Sequence, residues 1–548
     1  MSINELDRDR KGARSFMSGV LLLSFSTVAV KIIGLAFKIP MLSFLGTRGM
    51  GYFNSAYEIY AMLCVISTAG LPVALSMLVS ASRARGDGQG IKRVYRTACL
   101  TFAVLGICTS AFMLLFSREL AVLIGNPDAY LCIAAISPAL FAICLCSAVR
   151  GYAQGFEYMT PTAVSQLIEA LGKLGFGILF SSYAIDRGYE IWEVSAFAVL
   201  GVTFGSFISL VYLLFAKRSK KLKIERSLSI STAEDSRNCF FELIKIAFPI
   251  TLGSAVISAT RITDMTLIMR RLQDIGVSAE ESNRIYGAYT TLAIPVFSLI
   301  PALIAPISMA LVPQLAAYIQ RKQSSGEKLV IDNAMRLTLL FAMPASLGLA
   351  FFSQPVLELL FSGQTEAIDL CAPLLSVLGA SVLFSCLITT TNAILQSYKR
   401  AGLPIISMAT GLVVKIVSTY ILVGNENIGV MGAPIGSLIC NITVTLINIL
   451  FMHRVTRSKL KPSVLFRNFF ASAISVGAAF ALYLYVREFT ESLFVSFGLA
   501  LVFAVMIYAL FCFITGSITV QDIEMLPLGD KIIGIFQKRK QADIKIKK

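Results

Sequence analysis

The chain has little charge and a single histidine. Of its 548 residues, 15% are charged and 56% are hydrophobic, which is far from the composition of a soluble domain. The one histidine, His453, and eleven scattered cysteines that form no Cys-x-x-Cys pair argue against a zinc or redox centre. The sequence contains no Gly-x-x-x-x-Gly-Lys-Ser/Thr phosphate loop and no Ser/His/Asp arrangement. We therefore predict a protein that is not an enzyme and that holds no metal or cofactor.

What the sequence does contain is a series of long apolar stretches. A helix needs about 20 apolar residues to cross the roughly 30 Å hydrocarbon layer of a membrane. Runs of this length indicate helices, because lipid offers no partner to backbone polar groups. We predict an all-α polytopic membrane protein with about fourteen spans. In chain order these spans are 16–41, 52–81, 97–116, 130–149, 161–183, 191–216, 241–269, 285–315, 329–353, 369–397, 403–423, 432–452, 468–486 and 493–515.

Lysine and arginine alternate with these spans. Of the 48 Lys and Arg residues, 34 lie in the two tails and the even-numbered loops, seven in the odd-numbered loops and seven within spans. Short loops rich in lysine and arginine stay in the cytoplasm. We therefore predict a multi-pass protein of the cytoplasmic membrane with both termini in the cytoplasm. This topology and contact with anionic lipid headgroups explain the net charge of +16, so no nucleic-acid partner is expected.

A polar interruption divides the first twelve spans into two groups of six. It occupies 217–240, begins with KRSKKLKIER and continues with a Ser-rich stretch. We predict an N-lobe at 1–216, this basic cytoplasmic linker, and a C-lobe at 241–453. Spans 13 and 14 (454–515) and a basic cytoplasmic tail (516–548) follow.

An internal repeat supports the two lobes. Two sets of N-lobe residues recur in the C-lobe at nearly constant displacement. The first set recurs 242 residues later: Gln154, Ser165 and Lys173 correspond to Gln396, Ser407 and Lys415. The second set recurs 230 residues later: Ser24, Lys31 and Gly46 correspond to Ser254, Arg261 and Gly276. Both lobes begin on the same side of the membrane. The repeat is therefore parallel, about an axis along the membrane normal.

Ionisable residues occur inside the spans, where each costs about 2.5–3.5 kcal/mol unless it faces protein or a water-filled cavity. The candidate substrate-binding residues are Lys31 and Lys38 in span 1, Glu58 in span 2, Glu169 and Lys173 in span 5, Arg261 and Asp264 in span 7, and Lys415 in span 11. One interpretation is that they form ion pairs that stabilise the bundle, since the two pairs at i,i+4 and i,i+3 share helix faces. Five cations face only three anions, however, and an unpaired buried cation is costly. A cavity with surplus positive charge predicts an anionic substrate such as a phosphate or pyrophosphate.

Proline marks spans 2 and 8. Span 2 carries Pro72, and span 8 carries four prolines, Pro301 and Pro306 among them. Proline removes a backbone donor and bends a helix. These residues either belong to static kinks or let the two helices bend as gates during alternating access.

Three stretches carry a family resemblance. They are SFSTVAVKIIGLAFKIPMLSFLGTRGMGYFNSAYEIY, ISTAGLPVALSMLVS and RGYAQGFEYMTPTAVSQLIEALGKL. They resemble the stage V sporulation protein B group of the multidrug/oligosaccharidyl-lipid/polysaccharide (MOP) exporter superfamily, which also holds the multidrug/toxin extruders and the MurJ-type lipid II flippases. The resemblance implies two pseudo-symmetric six-helix lobes around a central cavity lined mainly by spans 1, 2, 7 and 8. It also implies that spans 13 and 14 form a groove for a lipid tail.

Cations on spans 1, 2 and 7 line the cavity of such flippases. Lys31 stands where the MurJ-type pattern has its first arginine, Phe37 where it has its second, and Lys38 where it has an aspartate. Arg261 fits the cation of span 7. The arginine pair of span 2 is missing from this sequence.

The resemblance implies a flippase that moves an undecaprenyl-pyrophosphate-linked cell-wall precursor, lipid II or a precursor of spore cortex, from the inner to the outer leaflet. Coupling to the membrane potential or to an ion gradient is expected. Lys31, Lys38 and Arg261 would bind the pyrophosphate, and Glu58 and Asp264 would orient them or contact the sugar. One alternative is a multidrug/toxin antiporter, whose cationic drugs would favour a net acidic cavity and twelve helices. The other is a non-transporting scaffold that binds cell-wall synthesis or sporulation proteins.

Cysteine labelling tests the predicted topology. On a background without native cysteines, Ser231→Cys in the linker should react with a membrane-impermeant reagent only after the cells are opened, because cationic loops are retained inside. Ser492→Cys, in the odd-numbered loop 13, should react in intact cells and serves as the control. Labelling of position 231 in intact cells would contradict the topology.

Overall fold

A computed structural model describes residues 3–219, 222, 236–398, 400, 402–456, 462–490 and 492–514. Within these residues the fold is helical and contains no strand, as predicted. The helices are α1 Ile3–Thr68, α2 Leu71–Ala84, α3 Gly88–Leu115, α4 Ser117–Leu123, α5 Tyr130–Gly155, α6 Thr160–Asp186, α7 Ile191–Ala216, α8 Ser236–Asp274, α9 Ala279–Ala288, α10 Ile294–Gln320, α11 Ser324–Phe351, α12 Ser353–Leu360, α13 Thr365–Ser397, α14 Gly402–Val423, α15 Gly432–Thr456, α16 Pro462–Phe489 and α17 Leu493–Ile514. The predicted tail and nearly all of the predicted linker lie outside the described residues.

Thirteen helical stretches of the described chain are long and apolar enough to cross a membrane. The first of them covers Phe25–Ala84, a length that two predicted spans share. This is a multi-pass membrane protein. This count does not confirm the exact number of fourteen spans, because fourteen spans are reached only if the first stretch is divided into two.

The first stretch folds back on itself at Gly46. This residue has φ 62° and ψ −178°, a left-handed conformation that favours glycine because any Cβ would be strained. Phe37 and Phe53, on either side of the turn, have ring centroids 5.5 Å apart, whereas an unbroken helix would separate them by about 24 Å along its axis. Gly276, its predicted repeat partner, has φ 90° in the turn between α8 and α9. Both glycines therefore make the first reversal of their lobe.

Two short helices were missed by sequence reasoning. They are α4 and α12, which follow predicted spans 3 and 9. Phe116 and Phe352, which precede them, have nearly the same backbone angles, φ −99° and ψ 22° against φ −100° and ψ 23°. Phe116 and Phe352 thus occupy equivalent positions in the two predicted lobes. The lobes therefore resemble each other at more residues than those used to detect the repeat, although their boundaries stay a prediction.

Small residues bring helices together inside the predicted N-lobe. A Cβ added to Gly172 would lie 2.7 Å from the Cα of Gly205, and one added to Gly201 would lie 2.6 Å from the Cα of Gly177. Such close approach of α6 and α7 is the means by which membrane helices pack without help from water. This packing fixes the position of α6, the helix that carries Lys173.

Side-chain hydrogen bonds join the predicted lobes at one end of the bundle. We call the end where α7 stops and α8 starts the linker end, and the opposite end the distal end. At the distal end the Asn126 amide donates to Asn283 Oδ1 at 2.8 Å, and Asn283 donates to the Arg48 carbonyl at 2.9 Å. Arg270 and Gln273, near the end of α8, donate at 2.9 Å to the backbone carbonyls of Leu123 and Gly125, at and just after the end of α4. We call these residues and their bonds the distal seam.

The last two helices pack outside the repeat. An aromatic cluster joins α16 and α17 to the C-lobe, with Phe352 ring centroids 5.4 Å from Phe480 and 5.8 Å from Phe497. The Tyr508 hydroxyl donates to the Leu340 carbonyl at 2.8 Å. These helices thus attach to α11 and α12, and neither of them lines the central cavity.

Candidate functional site: a cationic cavity between the lobes

A central cavity of about 900 Å³ lies between the two predicted lobes. This volume falls in the range of ligand sites, roughly 300–1,000 Å³. Its walls come from predicted spans 1, 2, 5, 7 and 8, as well as from spans 10, 11 and 12. The C-lobe therefore contributes more of the wall than the expected set of spans 1, 2, 7 and 8.

Seven of the eight candidate substrate-binding residues line this cavity: Lys31, Lys38, Lys173, Arg261, Lys415, Glu58 and Asp264. Residues far apart in the sequence are thereby brought to one surface. Five of them are cations and two are anions, so the ionisable side chains of the described lining carry a surplus of three positive charges when all are ionised. The eighth, Glu169, is not part of the lining.

Glu169 is paired with a residue that sequence reasoning missed. Its carboxylate accepts from Arg150 at 2.9 Å, and the same guanidinium donates to Ser165 at 2.9 Å and Ser209 at 3.3 Å. Arg150 was counted as a loop residue because predicted span 4 ended one position before it, but α5 continues to Gly155. The pair joins α5, α6 and α7, and removes the Glu169 carboxylate from the cavity.

Lys173 therefore has no carboxylate partner at i−4 and is held by aromatic rings instead. Its Nζ lies 4.2 Å from the ring centroid of Tyr57, 4.9 Å from that of Phe37 and 5.3 Å from that of Phe53. The faces of aromatic rings attract cations through their quadrupole. This cage compensates the ammonium without neutralising its charge.

Asp264 and Lys415 form the second ion pair of the site. The Lys415 ammonium lies 2.5 Å from Asp264 Oδ2 and is only 8% exposed. This pair joins α8 to α14, so Asp264 bonds across helices rather than to Arg261 on its own helix. The other oxygen, Oδ1, is buried and meets no donor among the described residues.

The remaining cavity cations have no carboxylate within bonding distance in the described part of the chain. Lys38 donates to the Thr290 carbonyl at 2.6 Å, and Lys31 makes a longer contact of 3.4 Å with the Ser298 carbonyl. Arg261 makes no hydrogen bond and no ion pair within the described residues, and both it and Lys31 are exposed to the cavity. Their donors are therefore available to a ligand.

Glu58 is the one carboxylate left among these cations. Its Oε2 is buried and has no hydrogen-bond partner in the described residues, although the positive charges of Arg261 and Lys38 act on it. It offsets part of the surplus charge at a distance. No group of three His, Cys, Asp or Glu residues that could hold a metal ion occurs in the described chain.

The predicted gating prolines are not part of the described cavity lining. Pro72 stands in the first turn of α2, just after the break at Gly70 that divides predicted span 2. Pro301 lies in α10, and so does Pro306, whose side chain is outside the described residues. Pro295, not among the predicted gates, lines the cavity. The gating role of these prolines stays a prediction.

Comparison with known families assigns the class of the protein. The family model described as polysaccharide biosynthesis protein matches residues 16–319, more than half of the chain. The chain belongs to the polysaccharide biosynthesis protein family. The MatE family model matches residues 287–421. The family is part of the MOP superfamily of membrane transporters, as the resemblance implied.

Relatives of this family member are transporters and flippases rather than enzymes. Stage V sporulation protein B of Bacillus subtilis (strain 168) is 24% identical over 450 residues, covering 82% of this chain and 85% of that protein. Lipid II flippase MurJ of the same organism is 25% identical over 419 residues, covering 73% of this chain and 76% of that protein. The fold is similar to the solved inward closed conformation of lipid II flippase MurJ, with a TM-score of 0.71 at 16% identity over 90% of this chain and 98% of that chain.

We predict that Arg150 and Glu169 stabilise the fold and do not bind substrate. Arg150→Met or Glu169→Leu leaves one partly buried charge without its partner; the loss is about 3–5 kcal/mol for fully buried pairs and should be smaller here. Each single variant should lower the Tm of the detergent-solubilised protein, and the double variant should recover much of the loss. Glu281→Gln, which breaks an exposed pair with Arg284, is the control and should leave Tm unchanged. Single variants with unchanged Tm and lost ligand binding would contradict this assignment.

Proposed function

We propose that this protein is a flippase that moves an undecaprenyl-pyrophosphate-linked cell-wall saccharide, lipid II or a spore-cortex precursor, across the cytoplasmic membrane. The observation that carries the proposal is the surplus of cations in the central cavity, where Lys31 and Arg261 have hydrogen-bond donors that no described protein group uses. The names of the relatives, a lipid II flippase and a sporulation protein, agree with a lipid-linked glycan as substrate.

The chemistry of the cavity favours a pyrophosphate over a cationic drug. A guanidinium presents paired N–H donors that match two phosphate oxygens, and an ammonium acts as a compact positive charge. Arg261 and Lys31 offer one of each, on helices of opposite lobes. A cationic drug would instead meet net repulsion, since in the described lining only Glu58 and Asp264 oppose five cations and Asp264 is already paired with Lys415. The multidrug alternative therefore lacks the acidic cavity that it requires.

The state of the bundle fits uptake from the inner leaflet. With both termini cytoplasmic, the distal end faces outward, and the distal seam closes that side. The cavity lining continues along α10 and α13 as far as Val312 and Gln396, toward the linker end. A headgroup would thus enter from the cytoplasmic side and leave after the seam opens. We propose that the membrane potential or an ion gradient drives the cycle.

The prenyl tail would remain in lipid along α16 and α17. Both helices expose large apolar side chains, Phe470, Leu501 and Phe513 among them. Burial of a prenyl chain contributes about 0.8 kcal/mol per CH₂, so a continuous apolar surface suffices to hold it. The headgroup and the tail would then be bound by separate parts of the chain.

Lys31 and Arg261, the two cavity cations that are exposed to the cavity and have no carboxylate partner among the described residues, provide the test of this function. In liposomes with fluorescent lipid II, Lys31→Gln and Arg261→Gln should each reduce translocation by about tenfold or more, because a hydrogen bond to a charged group is worth about 1.5–3 kcal/mol. Lys245→Gln is the matched control, since Lys245 is an exposed cation of α8 that does not line the cavity. Translocation at the wild-type rate by folded Lys31→Gln and Arg261→Gln proteins would refute the assignment and favour the scaffold alternative.

A further inference from the structure

Lys31 and Lys38 both contact backbone carbonyls of the opposite predicted lobe, but the Lys38 contact is the shorter one and lies nearer the distal end. The Lys38 Nζ donates to the Thr290 carbonyl at 2.6 Å. Asn54 reinforces the same junction by donating to the hydroxyls of Thr290 at 3.0 Å and Thr291 at 2.8 Å. The next residue, Ser55, accepts from Asn126 of the distal seam at 3.2 Å. The Lys38 bond is therefore continuous with the contacts that close the outer side.

The Thr290 carbonyl is available to Lys38 because the helix is irregular there. Residues Tyr289–Ala293 form a π-turn, in which the Ile294 N–H donates to the Tyr289 carbonyl five residues back. In that register the next carbonyl, that of Thr290, would accept from Pro295, which has no N–H. The helix thus leaves one backbone acceptor without its own donor at the distal end of the cavity. The Lys38 ammonium takes the place of the missing N–H.

This bond cannot be broken without compensation. Separation of the lobes at the distal seam would leave both the Thr290 carbonyl and the Lys38 ammonium without this partner, and an unpaired polar group or charge inside the membrane is costly. A carbonyl carries only a partial negative charge, whereas a phosphate carries a full one and forms stronger charge-assisted hydrogen bonds with an ammonium. An anionic headgroup in the cavity is the kind of ligand that can draw Lys38 away from Thr290.

We propose that Lys38 couples the arrival of an anionic headgroup to the opening of the distal seam. Lys31 and Arg261, which are open in this state, take the headgroup first. Lys38 then leaves the Thr290 carbonyl for the phosphate, which removes one of the bonds that hold the lobes together on the outer side. This inference rests on the proposed function for the charge of its ligand, and it adds the means by which that ligand changes the state of the protein.

The coupling can be measured as a change in distance across the distal seam. Spin labels at Val122→Cys and Ala279→Cys, two exposed positions on opposite sides of the seam, report its opening when the exposed Cys108 is replaced by serine. Undecaprenyl pyrophosphate is the probe. In the otherwise wild-type protein we expect it to shift the population toward longer distances. Lys38→Gln retains a donor for the Thr290 carbonyl but has no charge for the phosphate to attract, so its distances should not change with ligand.

Ligand binding is measured on the same proteins so that two failures can be told apart. Lys38→Gln should bind undecaprenyl pyrophosphate more weakly than wild type but still reach saturation, because Lys31 and Arg261 are retained; at saturation it should fail to respond, and Lys38→Arg should restore the response. Asn54→Ala, the matched control, removes two neutral bonds of the same junction; it should widen the distances without ligand and still respond to it. A full ligand response in Lys38→Gln would overturn the coupling role even if the proposed function holds. Absence of binding to the wild-type protein would instead overturn the proposed function and the coupling with it.

Discussion

Positive charge inside a membrane protein requires compensation, because neither lipid nor dry protein can solvate it. Among the described residues, five cations and two carboxylates line the cavity of this chain. The structure compensates the cations unequally. Lys415 has a carboxylate, Lys173 has three aromatic rings and Lys38 has a backbone carbonyl at short distance. Lys31 has only a longer contact with a backbone carbonyl, and Arg261 has no hydrogen-bond partner among the described residues. This gradation, from fully paired to unpaired, distinguishes cations that hold the helices from cations that can hold a ligand.

The same constraint links the site to the conformational cycle. A buried cation that is paired with a carboxylate costs little free energy in any state that keeps the pair together. Asp264 and Lys415 belong to the same predicted lobe, so their pair can persist when the lobes move. A cation whose acceptor belongs to the opposite lobe is satisfied in one state only. Lys38 and Thr290 are such a pair, and the π-turn before Pro295 supplies the acceptor. In the cycle that we propose, this local helix irregularity provides a partner that a phosphate would replace.

The sequence was sufficient to predict the class of fold and most of the cavity. Apolar spans and loop charge are local properties, and the repeat aligned Lys31 with Arg261 and Lys173 with Lys415, all of which meet in one cavity. The sequence could not predict the partners of these charges, since helix rotation and tilt depend on tertiary packing. The i,i+4 spacing favoured a Glu169–Lys173 pair, whereas Arg150 of another helix takes the carboxylate. Likewise, proline suggested a kink in span 8, but nothing in the sequence indicated a π-turn or its acceptor for Lys38.

The central claim is that the cavity selects a lipid for the negative charge of its headgroup. Native mass spectrometry of the purified wild-type protein with equal amounts of undecaprenyl pyrophosphate, undecaprenol and a lipophilic cationic drug measures this preference directly. We expect the pyrophosphate lipid to bind at least about tenfold more tightly than undecaprenol, which has the same tail and no charge, and the cation to bind most weakly. Equal binding of the two prenyl lipids, or a preference for the cation, would contradict it.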